Sequence, residues 1–168
     1  MSFDLSVISN KNILLAVTGG IAAYKSAILV RRLKDAGFNV RVVMTEGAQA
    51  FITPLTFQAL SGNPVHTQLL NPEAEAGMGH IELARWADLL LVAPASCDSL
   101  AKFAAGLADD LLSTLYLATK APVWVAPAMN QQMWAAKATQ RNLQTLIEDG
   151  VHVIMPDAGS QACGDVGL

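Results

Sequence analysis

The chain has 168 residues, with 11 Lys and Arg against 14 Asp and Glu and a net charge of −3. With no basic excess there is no field to gather a polyphosphate backbone, which excludes nucleic acid as the main partner. Hydrophobic residues make up 52% and aromatics only 6%, so the core is built from Ala, Val, Ile and Leu, the mixture of parallel strands buried under helices.

Residues 12–17 (NILLAV) form a short apolar run that ends in Thr18-Gly19-Gly20. Apolar residues then recur at helical spacing over 22–36, and Gly37 stops the pattern. A second strand is expected over 39–44 (NVRVVM), ending at Thr45-Glu46, which completes a βαβ unit. Short helices are expected over 47–52 and 54–60, and a surface loop with scattered Gly, Pro and acidic residues over 61–79. A third strand, 88–92, stops at Ala93-Pro94, and helices over 98–105 and 109–119 follow. A fourth strand, 123–126, again ends in Ala-Pro. One helix over 132–148 with Gly150 as its stop and a fifth strand over 151–155 complete the pattern, and the tail from 156 reads as turn-like and mobile. Strands alternating with helices at this rhythm define a single α/β domain spanning 1–168, a Rossmann-like doubly wound parallel sheet with helices on both faces.

The unusual residues follow strand ends, and ligands of such sheets bind outside those carboxyl ends. Gly19-Gly20 at a strand-to-helix turn lets the backbone approach an anion, and the N–H groups of the next helix face it. TGGIAAYK is neither GxGxxG nor a Walker A sequence, so a mononucleotide suits the turn better than NAD or ATP. Ser96-Cys97-Asp98-Ser99 offers hydroxyls, a carboxylate and amides at the next strand end, residue types that also serve as ordinary helix caps. Asn130 reads either as a ligand contact or as the cap of the helix after it.

His80, in a Gly-flanked loop, has an unperturbed pKa near neutrality and suits a base or a charge-stabilising group. The HIE triplet lacks a following PCxxC partner, which excludes a zinc deaminase. His66, His152 and Trp134 read as structural. Cys97 and Cys163 fit neither a disulfide framework nor a zinc site with paired ligands, as expected in a reducing compartment. There is no secretory leader at the start and no run fit to cross a bilayer, so a cytoplasmic protein without a membrane partner is expected. The apolar composition favours a surface covered by further copies of the chain.

TGGIAAYK at 18–25, VMTEGAQAFI at 43–52, MGHIEL at 78–83, LAKFAAGLADDLLSTL at 100–115, APAMNQQMW at 126–134 and GSQACGDVG at 159–167 closely resemble the flavin-containing cysteine decarboxylases. Within them the segments look most like the phosphopantothenoylcysteine decarboxylases of coenzyme A synthesis. The resemblance implies FMN in the crevice, with Gly19, Gly20 and Ile21 near its phosphate and ribityl chain. It implies further cofactor contacts from Thr45, Ser96, Cys97, Asp98, Ser99 and Ala128. By the same likeness His80, Met129, Asn130, Met133 and Cys163 surround the substrate, 4'-phosphopantothenoylcysteine, with His80, Asn130 and Cys163 catalytic.

The implied reaction oxidises the thiol carbon to a thioaldehyde, loses CO2 to give an enethiolate, and returns the hydride to give 4'-phosphopantetheine. The resemblance further implies a trimer, or a dodecamer of trimers, and a ligase domain fused to the decarboxylase in longer natural chains. A peptidyl-cysteine decarboxylase or a non-catalytic regulatory flavoprotein would share most of these segments.

Overall fold

A computed structural model describes residues 11–70 and 78–156, together with two short backbone stretches at 159–160 and 166–167. Five strands, β1 (Asn12–Val17), β2 (Asn39–Met44), β3 (Leu89–Ala95), β4 (Val123–Pro127) and β5 (His152–Val153), form one sheet in the order β2-β1-β3-β4-β5. Every neighbouring pair in it is parallel. The expected doubly wound sheet is therefore present, and its strand order is the one whose switch point falls between β1 and β3.

Period-two alternation explains the two layers of helices. Along β1, Ile13, Leu15 and Val17 pack into one core while Leu14 and Ala16 pack into the other, and along β3 Leu91 and Ala93 oppose Leu90 and Val92 in the same way. A strand buried on both faces has no polar side, which is why these runs read as continuous apolar sequence. Fully burying one such Leu or Val contributes about 1.5–3 kcal/mol.

The core beside β2 is closed by α1 (Ala23–Asp35), by a 3-10 turn at Gly47–Ala50 and by α2 (Pro54–Ser61). The other is closed by α3 (His80–Trp86), α4 (Cys97–Ala105), α5 (Leu111–Ala118) and the C-terminal helix. Gly37 and Gly150, expected as helix stops, have φ of 95° and 92°, a conformation that a Cβ would strain.

Several expectations are corrected. The helix expected over 132–148 is two helices, α6 (Gln131–Ala135) and α7 (Lys137–Glu148), because Ala136 between them has ψ of 136°. Helical periodicity passes through such a corner unbroken, since both helices turn an apolar side to the same core: Trp134 from α6, Leu143 and Leu146 from α7. The stretch 61–79 is not wholly loop. His66 bridges to Val43, its N–H donating to the Val42 carbonyl at 3.0 Å and its own carbonyl accepting from Met44 N at 2.9 Å, so it extends the sheet beyond β2.

His80 lies not in a loop but at the first position of α3, with Gly79 as its N-cap. In the tail, Gly159–Ser160 and Val166–Gly167 pair antiparallel as β6 and β7, where only turns were expected. Cys163, between them, lies outside the described residues.

Candidate cofactor and substrate site

Hydrogen bonds knit the C-terminal strand ends into one rim. Thr45 N donates to the Val17 carbonyl at 3.1 Å, joining the β2 and β1 exits, and Ala128 N donates to the Ala95 carbonyl at 3.1 Å, joining β4 to β3. Between β1 and β3 the ties come from Thr18. Its N–H reaches the Pro94 carbonyl at 3.3 Å, its hydroxyl donates to the same oxygen at 2.6 Å, and that hydroxyl accepts from Ser96 N at 2.7 Å. Gly19, Gly20, Ile21, Thr45, Ser96, Cys97, Asp98, Ser99, Ala128, Met129, Asn130 and Met133 all follow these exits. Four segments far apart in sequence thus meet along one edge of the sheet, as the strand-end reading expected.

Of the helix N-termini on this rim, those of α1 and α4 differ. α4 is capped: Ser96 Oγ accepts from Ser99 N at 3.1 Å and donates to Ser99 Oγ at 3.1 Å, and Asp98 stands in the first turn. α1 has no side-chain cap and no carboxylate in its first turn. The positive end of α1 is therefore uncompensated, while that of α4 is already served. A phosphate fits at Gly19-Gly20-Ile21 ahead of α1, where a Cβ built on Gly20 would meet nothing within 4 Å.

Other expected contacts take narrower roles. The Cys97 thiol lies 3.4 Å from the hydroxyl of buried Thr139 on α7. The Asp98 carboxylate pairs with Lys102 at 3.6 Å, and the same ammonium reaches Asp109 at 3.4 Å and Asp110 at 3.5 Å. Burial works against the charge on Lys102, but the three carboxylates outweigh it and hold its pKa above the ordinary lysine value. Thr45 Oγ1 accepts from Ala48 N at 3.3 Å, closing the turn after β2.

Asn130 is the N-cap of α6, its Oδ1 accepting from Met133 N at 2.8 Å. Both readings of this residue are thereby compatible. The cap uses the carbonyl oxygen and fixes the carboxamide, while Nδ2 has no hydrogen-bond acceptor among the described residues and keeps both donors for a ligand. Met129 is half-buried against the core and Met133 is exposed, so of the two only Met133 offers an open apolar side chain here. His80 is half-buried at the head of α3. Trp134 is core, as expected.

Thr18 and Ser26 were not among the expected site residues. Both are buried hydroxyls, and Ser26 Oγ donates to the Ala93 carbonyl at 2.7 Å. The signal that could have found Thr18 is a hydroxyl at the last position before a Gly-Gly turn, where a buried polar group must find partners.

An open parallel sheet with helices on both faces and its switch point between β1 and β3 defines a Rossmann-like α/β protein. The chain belongs to the Flavoprotein family, which it matches over residues 4–168. The cofactor class is thus a flavin.

The chain is 61% identical over 160 residues to the coenzyme A biosynthesis bifunctional protein CoaBC of Escherichia coli strain K12, covering 95% of this chain and 39% of that protein. It therefore spans about two fifths of the length of that relative. Among solved structures it is similar to a cysteine-to-serine mutant of PPC decarboxylase complexed with pantothenoylaminoethenethiol, at 36% identity and a TM-score of 0.80, covering 94% of this chain and 88% of that one. It is likewise similar to the FMN-dependent cysteine decarboxylase SpaF, at 32% identity and a TM-score of 0.83, covering 96% and 91%.

Proposed function

We propose that this chain is one decarboxylase domain that binds FMN along the strand-end rim and converts 4'-phosphopantothenoylcysteine to 4'-phosphopantetheine and CO2. The observation that carries the reading is the Asn130 carboxamide, held by its capping bond with Nδ2 uncommitted on the same rim as the uncapped α1 N-terminus. One group suits a carboxylate and the other a phosphate.

FMN, when bound, supplies an acceptor and then a donor of hydride at the thiol-bearing carbon. Around it the chain's own residues bind and orient. The N–H groups of Gly20 and Ile21 and the dipole of α1 hold the cofactor phosphate, and Thr45, Ala128 and the Ser96–Ser99 turn line its remaining length. Asn130 donates N–H bonds to the substrate carboxylate without placing a full positive charge on it, so the electrons that drive CO2 loss are oriented but not trapped. Met129 and Met133 flank the substrate. His80 stabilises charge or moves a proton, and Cys163 supplies the proton to the enethiolate.

The bifunctional relatives, of which this chain spans the smaller share, support a coenzyme A role and a partner ligase domain in a longer chain. Self-association is supported by exposed large apolar side chains: Ile21 before α1, Tyr24 and Ile28 one turn apart on it, Phe51 just before α2 and Leu55 at its start. Among the described residues no helix is long and apolar enough to cross a membrane, which is compatible with the proposed cytoplasmic location.

The test is mass spectrometry of products after incubating the FMN-loaded protein with 4'-phosphopantothenoylcysteine. Formation of 4'-phosphopantetheine is the expected result. Unchanged substrate together with decarboxylation of a peptide carrying a C-terminal cysteine would move the assignment to a peptidyl-cysteine decarboxylase, and FMN binding without either reaction to a regulatory flavoprotein.

A further inference from the structure

The ladder between β1 and β3 runs to the pair Ala16 and Val92 and is prolonged by one backbone bond, Thr18 N–H to the Pro94 carbonyl at 3.3 Å, while β3 shifts register against β4 between Val92 and Ala95. Beyond that point the two chains diverge, β1 leading to α1 on one face and β3 to α4 on the other. The crevice opens where the ladder stops. Beyond the Thr18–Pro94 backbone bond, no backbone hydrogen bond among the described residues joins the Gly19-Gly20 turn to the Ser96–Ser99 turn.

Thr18 stands at that place, 1% exposed, and its hydroxyl is used in both senses. It donates to Pro94 on β3 at 2.6 Å and accepts from Ser96, the N-cap of α4, at 2.7 Å. Thr18 precedes Gly19 directly, so one side chain fixes the anion turn to the first residue of the opposite turn. Ser26 makes the neighbouring bond, to Ala93 at 2.7 Å, but it touches neither turn. The two hydroxyls form a matched pair: both are buried and bonded to successive β3 carbonyls, and only one joins the two sides of the crevice.

We infer that Thr18 is a positioning residue whose hydroxyl carries the β1–β3 connection past the last ladder bond at the switch point and holds the two cofactor-binding turns at the spacing that FMN requires. The inference rests on the proposed FMN function, and its effect is on cofactor affinity rather than on the chemical step. Removing the hydroxyl leaves the half-buried Ser96 N–H without its acceptor, and the α4 turn relaxes away from the anion turn.

Thr18→Val keeps the shape and β-branching and removes the hydroxyl, Thr18→Ser restores it, and Ser26→Ala removes the neighbouring bond. The experiment measures FMN dissociation constants by flavin fluorescence, melting temperatures, and amide hydrogen exchange at Ser96–Ser99 in flavin-free protein. Expected for Thr18→Val are FMN affinity weakened on the order of tenfold or more and faster exchange at Ser96–Ser99. Thr18→Ser should stay within about threefold of wild type, and Ser26→Ala should lower the melting temperature with FMN affinity held within the same factor.

A Thr18→Val protein that melts earlier yet binds FMN as wild type does, or a Ser26→Ala protein that weakens FMN equally, would overturn the inference. A wild-type chain that binds no FMN would sink the functional reading instead, and the role of Thr18 in spacing the turns would then be decided by amide exchange. Unaltered exchange in Thr18→Val overturns it.

Discussion

Gly19 and Gly47 meet backbone to backbone: a Cβ built on Gly19 would lie 3.0 Å from the carbonyl carbon of Gly47 and 3.2 Å from its Cα. The turns after β1 and β2 are therefore in contact through two residues that have no side chain, and the anion turn is braced from behind by the 3-10 turn. Gly20, the next residue, has open space at the same position. Adjacent glycines thus serve different ends, Gly19 for packing and Gly20 for access.

Gly19→Ala should accordingly destabilise the flavin-free protein by about 1–3 kcal/mol, because only backbone atoms stand in the way and they cannot rotate aside. Gly20→Ala should leave stability within about 0.5 kcal/mol and weaken FMN on the order of tenfold, the methyl entering the space that the phosphate needs. Thermal unfolding without flavin and fluorescence titration with it separate the two. Wild-type FMN binding by Gly20→Ala would move the phosphate elsewhere on the rim.

Asn130→Asp preserves the cap, since a carboxylate oxygen accepts from Met133 N as the amide oxygen does. It removes the Nδ2 donors and sets a second negative charge against the substrate carboxylate. FMN binding and melting temperature should stay close to wild type, with turnover lower by about a hundredfold or more. A variant that turns over normally takes Asn130 out of the mechanism.

Cys163→Ser should retain FMN and release CO2 but fail to complete the final reduction, leaving the aminoethenethiol form of the substrate. Quantifying CO2 and phosphopantetheine in the same reaction checks this. Equal yields of the two would assign the last proton to another group.

His66 gives a pH dependence with a definite sign. Burial, reinforced by the charge of Arg41, lowers its pKa below the ordinary histidine value, and its Nε2 is buried without a hydrogen-bond partner among the described residues. The unfolded chain therefore binds a proton as pH falls through about 6.5 while the folded chain does not, so stability declines below that pH until the lowered folded pKa is reached. Chemical denaturation between pH 5 and 8, values set by the usual histidine range of about 6.5, should show this decline in wild type and a shallower one in His66→Leu. An identical slope in both would assign the dependence to other groups.

Much of the fold was legible because burial on both faces leaves a local trace. The runs at 13–17 and 89–92 are apolar at every position, and Gly37 and Gly150 announce helix ends through a conformation that other residues avoid. The corner at Ala136 left no such trace, because an alanine adopts either conformation and the apolar periodicity continues across it. His66 in the sheet was hidden for a related reason: its pairing is made by backbone groups, which every residue carries alike. Cys97 adds a contact of the same hidden kind, its thiol lying against the hydroxyl of Thr139, a partner 42 positions away in sequence that no local pattern announces.

By itself the sequence determined the parallel α/β class, the residues that follow each strand end and the likeness to cysteine decarboxylases, since these depend on local periodicity and on contiguous motifs. Only the tertiary structure decided which helix N-terminus was left uncapped, which way the Asn130 amide is used, and that Thr18 ties the two sides of the crevice. Each of these depends on which hydrogen-bond partner occupies a given atom, and the partners that tie the crevice together come from strands brought side by side only by folding.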